Sequence, residues 1–171
     1  MKKLIWLPIF LLALGVTAMA QDYPKAEVFG GYSYTHLSEA GDALNFNGGS
    51  ASLSVNPNQT LGLVADVGVS HTSSFGADAN LFTYLFGPKL AMRSNDTFTP
   101  YVHALFGGAR LSGGGSSSNA FAMALGGGLD AKVNNNVAIR LGQVEYMMTR
   151  FSGGDGHQNG VRVSAGIVFR F

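Results

Sequence analysis

The amino-acid sequence predicts an all-β fold, an eight-stranded antiparallel up-and-down barrel that spans a membrane. The first observation is a series of segments in which apolar residues occupy every second position, separated by turn residues. The second is the composition, in which 24 glycines accompany only 12% charged residues, about half the charged share of an average soluble domain. The third is the final segment, in which Phe169 and Phe171 continue an apolar face. Because side chains in a strand alternate between its faces, this pattern suits a wall with lipid outside and a polar interior.

The N-terminal residues have the pattern of a secretory signal peptide. Lys2 and Lys3 precede an apolar run at positions 4–16, and small residues at positions 18 and 20 mark a cleavage site. We therefore expect residues 1–20 to be removed and residues 21–171 to form one outer-membrane barrel domain. The alternative, an uncleaved membrane anchor, fits less well because the apolar run is shorter than the ~20 residues of a spanning helix.

Composition also excludes some classes of function. The sequence contains no cysteine, which excludes a disulfide framework and a thiolate metal site. Loss of the two leader lysines leaves nine basic residues against ten acidic ones, so the net charge changes from +1 to −1. A chain this close to neutral offers no electrostatic attraction to nucleic acid, and we expect no nucleic-acid partner.

Eight segments are predicted to be strands, and each is near or above the ~9–11 residues that a tilted strand needs to cross a bilayer. Compact turns rich in proline, asparagine and aspartate follow the second, fourth and sixth strands. Longer loops rich in serine and glycine follow the first, third, fifth and seventh, so these loops face the outside if both termini are periplasmic. The predicted strands are Ala26–His36, Leu44–Val55, Thr60–His71, Asn80–Met92, Thr99–Leu111, Asn119–Lys132, Val137–Phe151 and Asn159–Phe171.

The first four strands are each supported by the residues that share a face. Tyr32 and Tyr34 would place aromatic rings at the membrane interface in the first strand. Glycines at positions 48–49 would let the second strand bend in a curved wall. The apolar face of the third strand, at positions 61–69, turns Asp66 inward, and the aromatic stripe of the fourth, at positions 82–86, turns Lys89 inward.

The last four strands follow the same reasoning with one interruption. Glycines at positions 107–108 would bend the fifth strand, and outward apolar residues at positions 121–129 turn Asp130 and Lys132 inward in the sixth. In the seventh strand, an unbroken alternation would turn Gln143 and Glu145 toward lipid. We therefore predict a bulge near Gly142 that resets the register. The eighth strand alternates without interruption.

The inward positions collect charged residues of both signs. We expect these residues to form ion pairs that fill the interior, because an unpaired buried charge costs several kcal/mol or so and eight strands leave room only for side chains. The alternative is a relay or an ion path. The predicted interior charge network consists of Glu27, Asp66, Lys89, Asp130, Lys132, Arg140, Glu145, Arg162 and Arg170.

The mature sequence resembles the small eight-stranded outer-membrane β-barrels of Gram-negative bacteria, of the OmpA and OmpX type. The most specific part of the resemblance is the terminal series Val163, Ala165, Ile167, Phe169 and Phe171. It is similar to the signal by which the barrel-assembly machinery recognises its clients. The resemblance implies an outer-membrane location and this machinery as a partner during biogenesis. It further implies a structural or surface-interaction role, without catalysis or a cofactor. We also expect contact with outer-membrane lipid, including lipopolysaccharide, and a monomer.

Two other functions are compatible with this pattern: a lipid-modifying enzyme of the lipid A deacylase or acyltransferase type, and a soluble periplasmic binding barrel similar to a lipocalin. A nucleophilic serine needs a base within hydrogen-bond reach, whereas neighbouring Ser70 and His71 point to opposite faces of a strand. We therefore expect no catalytic residues. The histidines near the loops, His36, His71 and His157, match no metal motif, and we expect no metal site.

Overall fold

The computed structural model describes residues 23–39, 42–74, 77–113, 116–151 and 157–171. The predicted signal peptide at residues 1–20 lies outside these ranges, and so do residues 40–41, 75–76, 114–115 and 152–156 of the predicted longer loops. All eight predicted strands are present, and seven of them differ from the prediction at one or both ends. The strands are β1 (Ala26–Glu39), β2 (Asp42–Val55), β3 (Leu61–Ser74), β4 (Ala77–Ala91), β5 (Phe98–Gly113), β6 (Ser116–Lys132), β7 (Val137–Phe151) and β8 (His157–Arg170).

The strands form a closed barrel in chain order, which confirms the predicted fold class. Every neighbouring pair is antiparallel, and β1 pairs with β8 from Glu27 opposite Arg170 to Ser38 opposite Asn159. Closure leaves no strand edge without a partner, as a bilayer requires. Within the described ranges, no helix is long and apolar enough to cross a membrane.

The two faces of the wall differ in polarity as the sequence predicts. In β3, Val67 and Val69 are 45% and 57% exposed on the outer face, while Asp66, which precedes Val67, is 3% exposed on the inner face. Outward residues elsewhere include Phe86 and Phe121, which are also well exposed. An apolar surface of this extent around the whole barrel suits lipid. The soluble lipocalin-like reading is therefore wrong.

The bulge predicted near Gly142 is confirmed. Against β6, Arg140 lies opposite Asp130 and Gly142 lies opposite Leu129, so Leu141 is an additional residue. Against β8, the regular pairing is interrupted between Arg140 and Gln143. Both sides of β7 therefore accommodate one extra residue, and the alternation restarts so that Gln143 faces the interior.

The interior has two layers, which we name by the ends of the barrel. The turn end carries the connections after β2, β4 and β6, of five, six and four residues, and the loop end carries those after β1, β3, β5 and β7, of two, two, two and five residues. The prediction of longer loops at the loop end is therefore wrong, because the strands continue into the predicted loops. Charged residues such as Glu27 and Arg170 lie at the turn end, at the start of β1 and the end of β8. An apolar layer, most of which lies toward the loop end, includes Leu37, Phe46, Val64, Leu81, Leu85, Leu105, Ala109, Ala122, Ala124 and Met147.

Candidate functional site: the charged interior

The first part of the interior charge network surrounds Glu27 at the turn end. This carboxylate is 3% exposed and accepts a hydrogen bond from the Lys89 ammonium. Arg93 Nη2 lies 3.2 Å from Glu27 Oε2, and Arg170 Nε lies 3.3 Å from Glu27 Oε1. One buried carboxylate is therefore shared by three cations from β4, the turn after it and β8.

The second part joins Asp130 on β6 to Arg140 on β7. Arg140 Nε and Nη2 lie 2.8 and 3.2 Å from the two carboxylate oxygens, which is a bidentate pair. Arg140 also donates to Gln143 Oε1 at 2.6 Å. Its guanidinium stacks 4.2 Å from the ring centroid of Phe29 and 4.7 Å from that of Tyr101. These contacts satisfy a buried cation by hydrogen bonds and by cation–π attraction.

The third part crosses the lumen and centres on Arg162 of β8. Arg162 donates to both oxygens of Glu145 at 2.6 and 3.0 Å and to Asp66 Oδ1 at 2.8 Å. His103 Nε2 lies 2.9 Å from Glu145 Oε1. Arg162 and Glu145 are 2% and 0% exposed. Because water does not reach these charges, each one is stabilised by the other. Four strands, β3, β5, β7 and β8, contribute to this part.

The structure places eight of the nine predicted residues inside the barrel, and the prediction is wrong for Lys132. Alternation along β6 does turn Lys132 toward the inner side, as it does Asp130. However, Lys132 is the last residue of β6, and its side chain is exposed where the strand leaves the wall. Lys132 is therefore not part of the interior charge network.

Three members of the network were missed by sequence reasoning. His103 shares its face of β5 with buried Tyr101, so strand alternation could have identified it. Gln143 follows the bulge, and its side chain accepts hydrogen bonds from both Tyr101 and Arg140. Arg93 carries no such signal, because it lies in a turn and reaches back to Glu27.

In the part of the barrel that the structure describes, the two layers fill most of the interior. Phe46 and Leu105 of the apolar layer are both 0% exposed. Among the charged residues, a cavity lined in part by Glu27, Asp66 and Lys89 leaves room for about one water molecule. This agrees with the expectation that eight strands enclose a space that side chains can fill.

Ser70 and His71, which were weighed for catalysis, are separated by the wall. Ser70 is buried on the inner face, whereas His71 is exposed on the outer face. In the described part of the chain, no group of histidine, cysteine and carboxylate residues could hold a metal ion. The side chain of His157 lies outside the described residues.

A closed barrel with a lipid-facing exterior and a filled interior defines the class of small outer-membrane β-barrels. The sequence matches the family described as outer membrane protein beta-barrel domain over residues 8–169. The chain belongs to this family and is a protein of the outer membrane. No curated protein matches the sequence.

Solved structures of the same shape support the fold. Neisserial surface protein A superposes with a TM-score of 0.75 at 16% identity, covering 88% of this chain and 100% of that one. The attachment invasion locus protein Ail of Yersinia pestis gives 0.60 at 19% identity, covering 87% and 99%. The N-terminal β-barrel domain of Pseudomonas aeruginosa OprF gives 0.54 at 13% identity, covering 88% and 100%. At these identities the likeness concerns the fold alone.

Proposed function

We propose that this protein has a structural or surface-interaction role in the outer membrane, without a conducting pore and without catalysis. The observation that carries the proposal is the filled interior, with ion pairs at the turn end and an apolar layer toward the loop end. The function would then reside on the outer wall and on the loop end, which we expect to face the outside of the cell.

The apolar layer argues against ion conduction. An ion entering from the loop end would lose its water among Phe46, Leu105 and their neighbours, which are fully buried. Desolvation of an ion in such surroundings costs several kcal/mol or so. From the turn end, the ion would have to replace partners in the Glu27 or Arg162 ion pairs. Neither route lets an ion pass without displacing buried side chains.

Conductance in a planar lipid bilayer tests this part of the proposal. The refolded protein should give no stepwise current, whereas the double substitution Phe46→Ser with Leu105→Ser should open small steps by wetting the apolar layer. Phe121→Ser, on the exposed outer face, is the matched control and should stay silent. Stable steps from the unaltered barrel would overturn the proposal. Heat-dependent gel mobility checks that each variant has folded.

The absence of catalysis is tested with a substrate of the enzyme alternative. A serine hydrolase needs its serine and histidine in contact, and Ser70 and His71 are on opposite faces of β3. Incubation of the refolded protein with lipopolysaccharide should therefore release no fatty acid above a boiled control. Release that is lost in His71→Ala would overturn this part of the proposal.

We further propose that the chain is exported by residues 1–20 and assembled as a monomer by the barrel-assembly machinery. The residues of the proposed assembly signal lie together on the outer face of β8 and just beyond it, with Ile167 48% and Phe171 54% exposed. A partner outside the barrel could therefore bind these residues as one row of apolar side chains. N-terminal sequencing of the mature protein should begin at Gln21.

A further inference from the structure

Two arginines on the outer face of the barrel lie near the loop end. Among the strand residues whose side chains the structure describes, Arg110 on β5 and Arg150 on β7 are the charged groups that point outward and are exposed. Both lie near the loop end, since β5 ends at Gly113 and β7 ends at Phe151. The wall between them and the turn end is apolar.

The strand register places the two arginines close to each other. Arg110 lies opposite Asn119 of β6, and Arg150 lies opposite Phe121 of the same strand. The two arginines are thus two strands and two residues apart, or about 12 Å between Cα atoms at the usual spacings of a sheet. Long, flexible side chains on both sides of β6 can converge on one ligand over Phe121.

The position of Arg110 and Arg150 along the barrel corresponds to the interface between the membrane and water. Exposed Phe121 and Leu125 lie on β6 at and below the level of the arginines. Arginine on the lipid face costs about 2–4 kcal/mol at the bilayer midplane but about 0–1 near the interface. A pair of guanidinium groups is therefore tolerated here because it reaches the headgroups, and we expect these to be the headgroups of the outer leaflet.

Arg110 and Arg150 have few partners within the protein. Arg110 Nη2 donates to Ser117 Oγ at 3.2 Å, and within the described ranges no carboxylate forms an ion pair with either arginine. The positive charges of Arg110 and Arg150 are therefore not balanced by the protein, and an anion from outside could bind them.

We propose that Arg110 and Arg150 form a two-point binding site for an outer-leaflet lipid that carries two phosphate groups on one headgroup. Guanidinium groups bind phosphate through paired hydrogen bonds, and Phe121 between them can contact the acyl chains. The proposal rests on the proposed orientation of the loop end toward the outside. It adds a lipid partner on the outer wall to the proposed function.

Native mass spectrometry of the refolded protein in detergent, with added lipid, tests this site. The probes are lipid A with two phosphates, lipid A with one phosphate, and inorganic phosphate. The unaltered protein should retain the bisphosphorylated lipid at least about tenfold better than either Arg110→Gln or Arg150→Gln, because each substitution removes one charged contact. With the monophosphorylated lipid, the unaltered protein should show weak retention. This retention should be similar to that of the bisphosphorylated lipid by each single variant.

Lys132→Gln is the matched control, since it removes an exposed cation at the turn end and should leave retention unchanged. Equal retention by the Arg110→Gln, Arg150→Gln double variant would overturn the proposal. Full displacement of the lipid by millimolar inorganic phosphate would also overturn it, because the site would then bind a free anion. Either failure leaves the proposed non-conducting function untouched, because that function is measured by bilayer conductance.

Discussion

Arg162 on β8 and Asp66 on β3 are joined by a 2.8 Å ion pair although 96 residues separate them along the chain. These strands are not neighbours in the wall, where β3 pairs with β2 and β4. Backbone hydrogen bonds hold each strand only to the next one. The interior charge network therefore connects opposite sides of the barrel, a role that the sheet itself cannot fill.

Removal of Arg162 should strongly destabilise the barrel. Arg162→Met would leave Glu145 and Asp66 buried without their main partner. Loss of one partner from a buried network costs about 3–5 kcal/mol. The free energy of unfolding, measured by urea titration in lipid vesicles, should fall by this amount. Lys132→Met, at an exposed position, should change it by less than about 0.5 kcal/mol.

The loss of stability in Arg162→Met is expected to come from the buried carboxylates of Glu145 and Asp66, which would lack their partner. Arg162→Met combined with Glu145→Gln and Asp66→Asn should therefore recover much of the stability, since replacing a whole buried ion network is often close to neutral. If the triple variant were less stable than Arg162→Met alone, this explanation would be wrong.

Adjacent glycines of β1 should respond differently to the same substitution. A Cβ atom at Gly31 would lie 2.2 Å from the carbonyl oxygen of Ala165, whereas one at Gly30 would meet nothing within 4 Å. Gly31→Ala must separate β1 from β8 locally and should lower the free energy of unfolding by about 1–3 kcal/mol. Gly30→Ala is its control and should shift the urea midpoint little. Equal midpoints for both variants would contradict the close strand approach.

Deletion of Gly142 should be tolerated. The bulge gives β7 one residue more than its neighbours need, so the deletion leaves Arg140 and Gln143 inside and Leu141 outside. Deletion of Val67 from regular β3 is the control, because it would force residues on one side of the cut, such as Asp66, onto the wrong face. Heat-dependent gel mobility should show a folded barrel for the first deletion and not for the second. Failure of both deletions would mean that the bulge itself is required.

Phe171→Ala should impair assembly in cells more than stability. The Phe171 backbone carries the local pairing, accepting from Lys25 N at 2.7 Å and donating to Ala26 O at 2.9 Å, and alanine preserves both bonds. We expect unchanged refolding in vitro but a several-fold lower level in isolated outer membranes. Phe98→Ala, at another exposed phenylalanine of the turn end, should have no such effect. Equal losses for both variants would remove Phe171 from the proposed signal.

The sequence contains most of the information about the wall and less about the interior. Alternation identifies the strands because lipid accepts only apolar residues, and it locates the bulge because Glu145 cannot face lipid. It cannot show where the wall ends, so Lys132 was placed inside although it is exposed. For the same reason seven of the eight predicted strands are too short at the loop end, where polar residues extend β5 to Gly113.

Partner choice inside the barrel could not be predicted from the sequence. Alternation gives the inner side for Arg162 but not the distance across the lumen to Asp66. That distance depends on the closure and stagger of the whole sheet. Arg93 illustrates the same limit, because a turn residue has no assigned face and yet lies 3.2 Å from Glu27.

The pairing of β1 with β8 imposes an order of events on synthesis. The strand made first has its wall partner among the residues made last, from Ser38 opposite Asn159 to Glu27 opposite Arg170. Until β8 has been translated and exported, β1 and the newest strand both present open edges, which attract other chains. The wall therefore cannot close before the last of the eight strands has reached the membrane.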